Sequence, residues 1–283
     1  MLNRYYESFA ATEGSGLGAV TDALVADDIQ TVVSQTDGLA GRAQIGPRVQ
    51  ASVLAAAFMR CGAYGALRSQ LVPLEGQAEH GLYRATLSVA EGQLKEGIAG
   101  LQAATQVGGS IAREAWLALA RVAPDVAEDA LSQARLLGAS AARVAGIQLG
   151  LAIDRAAYSD AEALLSMLDD ATRQSPWVAF GAVRHETLVA PKLTTYQSLK
   201  DLKARLGELG HAGLLAHTHL LMAQVSPRVD FRVTHVEHAG SLFEALGDAR
   251  SHTLAAAWEA QVEAELGELE GAEDLALQAR EAA

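Results

Sequence analysis

The amino-acid sequence predicts an all-α fold built from antiparallel helical hairpins, on three observations. Of the 283 residues, 50% are hydrophobic but only 5% are aromatic, whereas a β-sandwich would be richer in aromatic and β-branched residues at period two. Alanine, leucine, glutamate and arginine, which favour helices, dominate many stretches. From about Pro47 onward, apolar residues recur at helical spacing between short turns, and a pattern of small residues returns at a long period.

Residues 82–106 give the clearest example of a predicted hairpin. The first helix places Leu82, Ala85 and Val89 on one side, and Gly92 permits a tight turn before the second helix. Because only two or three residues connect them, the two helices must be antiparallel and closely packed. Small residues such as Ala85 allow the two helix axes to approach.

The second helix of this hairpin carries a pattern that returns along the chain. A small or apolar residue is followed by another four positions later and a third after three more. The examples are Leu67, Leu71 and Leu74; Gly97, Leu101 and Ala104; Ala127, Leu131 and Ala134; Ala161, Leu165 and Leu168; and Ala272, Ala276 and Ala279. The first four examples start 30, 30 and 34 residues apart. A return at this period is typical of repeat proteins.

The sequence therefore resembles the tetratricopeptide repeat family, in which each unit of about 34 residues is a pair of helices. The best matches are residues 87–104, 158–168 and 266–279, and the resemblance covers residues 47–283. Residues 175–250 match the pattern poorly, and most units lack the family's early aromatic residue and closing proline. The resemblance implies a right-handed solenoid of about seven hairpins, elongated or curved, with the first helix of each unit on the concave face.

Residues 1–46 stand apart from the repeat pattern. The stretch from Thr12 to Gly18 is rich in glycine and predicts a flexible break, and residues 20–39 are compatible with a further helix. Two interpretations remain open for this segment: a helical cap that shields the first repeat, or a mobile arm.

Charge and cysteine content exclude several classes of protein. The formal net charge is −12, and residues 251–283 contain eight acidic residues against Arg280 alone, so we expect no direct binding to nucleic acid. The acidic end is interpreted as a solvated outer face. The single cysteine, Cys61, excludes an internal disulfide framework. Without a signal peptide or an apolar stretch long enough to span a bilayer, we expect a cytoplasmic location and no membrane association.

No motif in the sequence predicts a catalytic site or a cofactor. The glycines at 14, 16 and 18 lack the spacing and the preceding strand of a dinucleotide-binding loop. Seven of the eight histidines fall between His185 and His252. His235 and His238 share a helical face, and a metal site would need His217 or His219 from a neighbouring helix. We expect scattered histidines and a protein without bound metal, and we predict that it is not an enzyme.

The resemblance implies a partner-binding groove formed by the first helix of each unit. The groove positions that follow are Met59, Arg60, Leu82, Val89, Trp116, Leu119, Arg143 and Ile153. They are mostly apolar, which favours an amphipathic helix or an apolar peptide as ligand. Because aromatic residues dominate binding hot spots, Trp116 is the expected centre of the groove.

Three functional interpretations follow from these patterns. The first is a non-enzymatic interaction scaffold that binds another protein or a peptide in its concave groove. The second is the sensor or effector region of a bacterial transcription regulator, where similar repeats accompany a separate DNA-binding element. The third is a metal-binding protein or enzyme that uses the histidine-rich residues 185–252. The sequence does not determine the partner or the oligomeric state.

Overall fold

The computed structural model describes residues 17–42, 44–189, 191, 193–267, 271–273 and 275–277. The elements within these ranges are helices, which confirms the predicted all-α class. The α-helices are α1 (Leu17–Val25), α2 (Ile29–Gly41), α3 (Pro47–Cys61), α4 (Tyr64–Ser69), α5 (His80–Ala90), α6 (Leu94–Thr105), α7 (Gly109–Val122), α8 (Ala127–Leu136), α9 (Ala141–Asp154), α10 (Tyr158–Met167), α11 (Asp170–Arg173), α12 (Pro176–Val189), α13 (Leu193–Glu208), α14 (Ala212–Val225), α15 (Val229–Leu246) and α16 (Ala249–Leu266). Two short 3₁₀ helices, Val72–Leu74 and Pro124–Val126, precede α5 and α8.

The predicted hairpin of residues 82–106 is confirmed as α5 and α6, joined at Gly92. Gly92 has a φ of 82°, a left-handed conformation that glycine adopts without strain. The two helices pack so closely that a Cβ atom at Gly97 would lie 2.5 Å from Val89, and one at Gly100 would lie 2.7 Å from the Cβ of Ala85. The small residues of this pair therefore set the distance between its helices.

Several of the recurring pattern positions lie in the core of the described chain. Leu101, Ala127, Ala134 and Ala161 are fully or almost fully buried, because each sits where a second helix packs on the first helix of its pair. In the earliest example, Leu71 lies beyond the end of α4, and Leu74 is in a 3₁₀ helix. Ala279, from the last example, lies outside the described residues.

The described part of the N-terminal segment packs on α3. Helices α1 and α2 bury Leu24, Ile29 and Val32 against Val53 and Ala57 of α3. Residues 1–16, which include most of the glycine-rich break, lie outside the described part of the chain.

The first helices of successive pairs follow one another around a ring. Helix α3 contacts α5, which contacts α7, and the order continues through α9, α12 and α14. The ring closes because α14 contacts α3, while α15 contacts α4 and α16 contacts α5. The end of the helical array therefore packs against its beginning.

Glycines allow this closure between distant parts of the chain. A Cβ atom at Gly213, at the start of α14, would lie 2.8 Å from the carbonyl oxygen of Cys61 at the end of α3. On the N-terminal side, the amide of Ile29 donates a hydrogen bond to the carbonyl of Leu209 at 2.9 Å. The Nε2 atom of the buried His211 lies 2.7 Å from the carbonyl oxygen of Asp27. The ends of α2, α3, α13 and α14 therefore meet at one place, which we call the seam.

Candidate functional site

A cavity of about 770 Å³ lies inside the ring of first helices. Each of these helices except α3 contributes to its wall, and α16 completes it. The lining includes Val89 of α5, Arg121 of α7, Ile147 of α9, Trp177 and Phe180 of α12, His217 and Leu220 of α14, and Trp258 of α16. The wall is therefore largely apolar, with a few charged groups among aromatic side chains.

A narrower annex of about 50 Å³ adjoins the cavity beside α3. Met59, Arg60 and Arg143 line the annex together with Tyr64 and Trp177. Tyr64 and Trp177 also line the main cavity, so the two spaces share a wall.

Arg121 is the charged group best placed to meet a ligand in the cavity. Its side chain is accessible to solvent although protein surrounds the cavity, and the guanidinium lies 4.6 Å from the centroid of the Trp177 ring. The desolvation caused by this enclosure lowers the pKa of Arg121, and nearby Tyr64 and Asp248 oppose that effect. Within the described chain it makes no ion pair, whereas Arg184 on the same wall pairs with Asp154 at 2.6 Å.

Burial keeps two titratable groups of the wall, His217 and Tyr64, neutral. Burial, with the charges of Arg121 and Arg184, lowers the pKa of His217 to about 4. Burial also raises the pKa of Tyr64, with Arg121 acting against it. At neutral pH the imidazole is therefore uncharged, and the phenol keeps its proton. The wall's fixed charges are then Arg121, Arg184 and Arg250 against Asp154 and Asp248.

A buried ion-pair network lies beneath the annex and is centred on Glu114. Its carboxylate lies 2.7 Å from Arg143, 3.2 Å from Arg113 and 3.5 Å from Arg60. Burial alone would raise the pKa of Glu114, but the attraction of the three guanidiniums is greater and lowers it to about 2. Arg60 also lies 3.2 Å from Asp27, in the turn between α1 and α2. The network therefore joins the α1–α2 turn to α3, α7 and α9.

The structure divides the predicted groove residues into two groups. Met59, Arg60, Val89 and Arg143 border the cavity or its annex. Leu82, Leu119 and Ile153 are only 1–3% exposed, and the expectation that they face an open groove is wrong because they pack between helices. Arg60 and Arg143 face the annex as members of the Glu114 network.

Trp116 does not line the cavity. It is half-buried and packs against the hydrophobic core on another side of α7. The face of α7 that reaches the cavity carries Ala118 and Arg121. Trp116 and Ala118 are two positions apart, about 200° around a helix, so they point in nearly opposite directions. The aromatic side chains that line the cavity include Tyr64, Trp177, Phe180 and Trp258, and two of these four, Trp177 and Phe180, lie in the stretch that matched the repeat pattern poorly.

A cluster of three histidines lies outside the cavity. His219 of α14 and His235 and His238 of α15 place one nitrogen atom each within 4.8 Å of one another. The expectation of scattered histidines is wrong for these three, because α14 and α15 pack side by side. Burial, with nearby Lys203 and the neighbouring imidazoles, lowers the pKa of His219 to about 4. His217, two positions earlier, faces the cavity instead.

Comparisons with known proteins assign no family to the chain. No family model matches it, and neither the curated proteins nor the solved structures include a significant match. Among the described helices, none is both long enough and apolar enough to cross a membrane.

Proposed function

We propose that the chain is a non-enzymatic binding module that holds a short peptide segment with an acidic group in its central cavity. The observation that carries this proposal is the cavity wall itself, where Arg121 lies over Trp177 without an acidic partner in the described chain. We further interpret the helical pairs as a right-handed, tetratricopeptide-like solenoid whose concave face closes around this cavity.

The size of the cavity limits the length of its ligand. About 770 Å³ falls within the range of roughly 300–1,000 Å³ that is typical of small-ligand sites. An α-helix about 10 Å wide fills roughly 400–500 Å³ per turn, so at most two turns fit. A short segment or a chain terminus suits this volume better than the long amphipathic helix expected from the sequence.

The charge of the cavity indicates what the ligand carries. The protein has a net charge of −12, yet three arginines and two aspartates line the cavity. A guanidinium enclosed by apolar walls gains most from a carboxylate that accepts two parallel hydrogen bonds. The aromatic rings of Trp177, Phe180 and Trp258 would surround the apolar part of such a ligand.

A sensor region of a transcription regulator is the second candidate, and the position of the site between several inner helices favours it. A ligand that contacts several inner helices would stabilise the closed ring, so binding at the cavity would be linked to the seam between α3 and α14. This candidate predicts a change in shape or oligomeric state on binding, whereas a simple scaffold does not require one.

We expect Trp177→Ala to weaken peptide binding about thirtyfold, or about 2 kcal/mol, because it removes the aromatic surface beneath Arg121. Arg121→Gln should weaken binding at least tenfold by removing a charge-assisted hydrogen bond. The measurement is fluorescence anisotropy with a library of short apolar peptides, each prepared with a free carboxylate and as the terminal amide. Free carboxylates should bind more tightly than amides to the wild-type protein, and Arg121→Gln should lose this preference because it lacks the guanidinium.

Arg135→Gln is the matched control, because Arg135 is an exposed arginine on α8 and bonds to Gln148 outside the cavity. Urea midpoints of all variants separate lost binding from lost folding, which matters for Trp177 because it also packs on the core. The proposal fails if no peptide binds, or if stable Trp177→Ala and Arg121→Gln proteins bind peptides as tightly as the wild type.

A further inference from the structure

The histidine cluster of α14 and α15 has a geometry that suits a transition metal. The Nδ1 atoms of His219 and His235 lie 3.2 Å apart. Two nitrogen ligands of a tetrahedral zinc ion, each about 2.0–2.1 Å from the metal, are about 3.3 Å apart. Two of the three imidazoles therefore already have the separation that a shared metal ion requires.

The third imidazole is placed to complete the site from the solvent side. All three donor atoms lie within 4.8 Å of one another, and His238 is exposed while His219 and His235 are buried. An exposed side chain can change rotamer at low cost, so His238 can approach the other two nitrogens by the remaining distance. The two buried ligands are held by the packing of α14 against α15.

A second group orients one of the buried imidazoles. The hydroxyl of Tyr196, on α13, lies 3.3 Å from the Nε2 atom of His235. A ligand histidine in a metal site commonly bonds through its other ring nitrogen to a neighbouring group, which fixes the ring and its tautomer. This contact leaves the Nδ1 atom of His235 directed at His219.

Lys203 carries the nearby positive charge that would oppose binding of a cation at the cluster. Its long, flexible side chain lets the ammonium group move toward solvent.

We propose that His219, His235 and His238 form a binding site for a divalent transition-metal ion of the zinc class. Three imidazole ligands favour zinc, cobalt, nickel or copper over magnesium or calcium, which prefer oxygen ligands. With three protein ligands, a tetrahedral ion keeps one coordination position for water or an external ligand. The exposed side of His238 makes that position accessible from outside. The site is separate from the cavity, so it does not depend on the proposed peptide binding.

The test uses the full chain without an affinity tag, stripped with a chelator and titrated with Zn²⁺ by calorimetry. We expect one Zn²⁺ per chain, and Co²⁺ should give the intense visible absorption of a tetrahedral site. His238→Ala should weaken Zn²⁺ binding at least tenfold with little effect on folding, because the side chain is exposed. Tyr196→Phe should weaken binding about tenfold by releasing the His235 ring.

His252→Ala is the control, since His252 is an exposed histidine on α16 outside the cluster, and its binding should equal that of the wild type. Circular dichroism and urea midpoints for each variant establish that the fold is retained. The proposal is overturned if the stripped wild-type protein does not bind Zn²⁺, or if Co²⁺ gives only the weak absorption of an octahedral complex. It is also overturned if His238→Ala binds Zn²⁺ as tightly as His252→Ala does.

Discussion

Replacing Glu114 by glutamine is expected to lower the free energy of unfolding by about 3 to 5 kcal/mol, the largest effect expected of a single change at the ion-pair network. The substitution keeps the size of the side chain but removes the negative charge that Arg60, Arg113 and Arg143 share. Removal of one partner from a buried ion pair leaves uncompensated charge in a poorly solvated site. Urea unfolding at neutral pH, compared between the variant and the wild type, measures the loss.

The same carboxylate gives the wild type a specific acid response. Because the pKa of Glu114 falls from 4.5 to about 2 on folding, its ionised form stabilises the folded state above pH 4.5. That contribution is lost as the pH falls toward 2. Glu114→Gln should lack this part of the acid dependence.

Glu128→Gln is the matched control for both measurements. Glu128 is 91% exposed and lies 4.0 Å from Arg155, so its loss should change stability by less than about 0.5 kcal/mol. A Glu114→Gln protein that unfolds within 1 kcal/mol of the wild type would contradict a structural role for the network.

Gly213→Val is expected to lower stability by about 3 kcal/mol and to open the ring of helices. A Cβ atom at this position would lie 2.8 Å from the Cys61 carbonyl oxygen and 3.5 Å from the Gly62 Cα atom. Both are backbone atoms at the end of α3, so the clash cannot be relieved by a side-chain rotation. Small-angle X-ray scattering should show a larger radius of gyration, and urea unfolding should show the loss of stability.

Gly81→Ala provides the corresponding control, because Gly81 is exposed in α5 and has open space where a Cβ atom would be. Alanine there should stabilise the protein by up to about 1 kcal/mol through its higher helix propensity. If Gly213→Val keeps the wild-type radius and stability, the contact between α3 and α14 does not hold the ring closed.

The sequence was sufficient to predict the helices and the closest helical pair. The α5–α6 hairpin follows from apolar residues at helical spacing on either side of Gly92, and its tight packing follows from Ala85 and Gly97. These signals are local: spacing within one helix and the length of one turn decide them. The recurring pattern of small or apolar residues likewise coincides with the second helices α6, α8 and α10.

The sequence was not sufficient to decide which face of an inner helix meets the cavity. Helix α7 is buried on several sides, with Ala112, Leu117 and Leu119 in the core. Its apolar residues form more than one stripe along the helix, and the sequence pattern alone does not show which stripe faces the cavity. Trp116 lies on a stripe that packs against the core. The repeat pattern also failed over residues 175–250, where Trp177 and His217 lie.

What the sequence by itself determined is the helical content, the α5–α6 hairpin and the small residues of the pair interfaces. The tertiary structure alone decided that α14 returns to α3, that Arg121 faces Trp177 inside a cavity, and that three histidines converge. The physical reason is the separation along the sequence of the residues that interact. Helix formation depends on residues three or four positions apart, whereas the seam joins Cys61 to Gly213 through the accumulated angles of all the helix pairs between them.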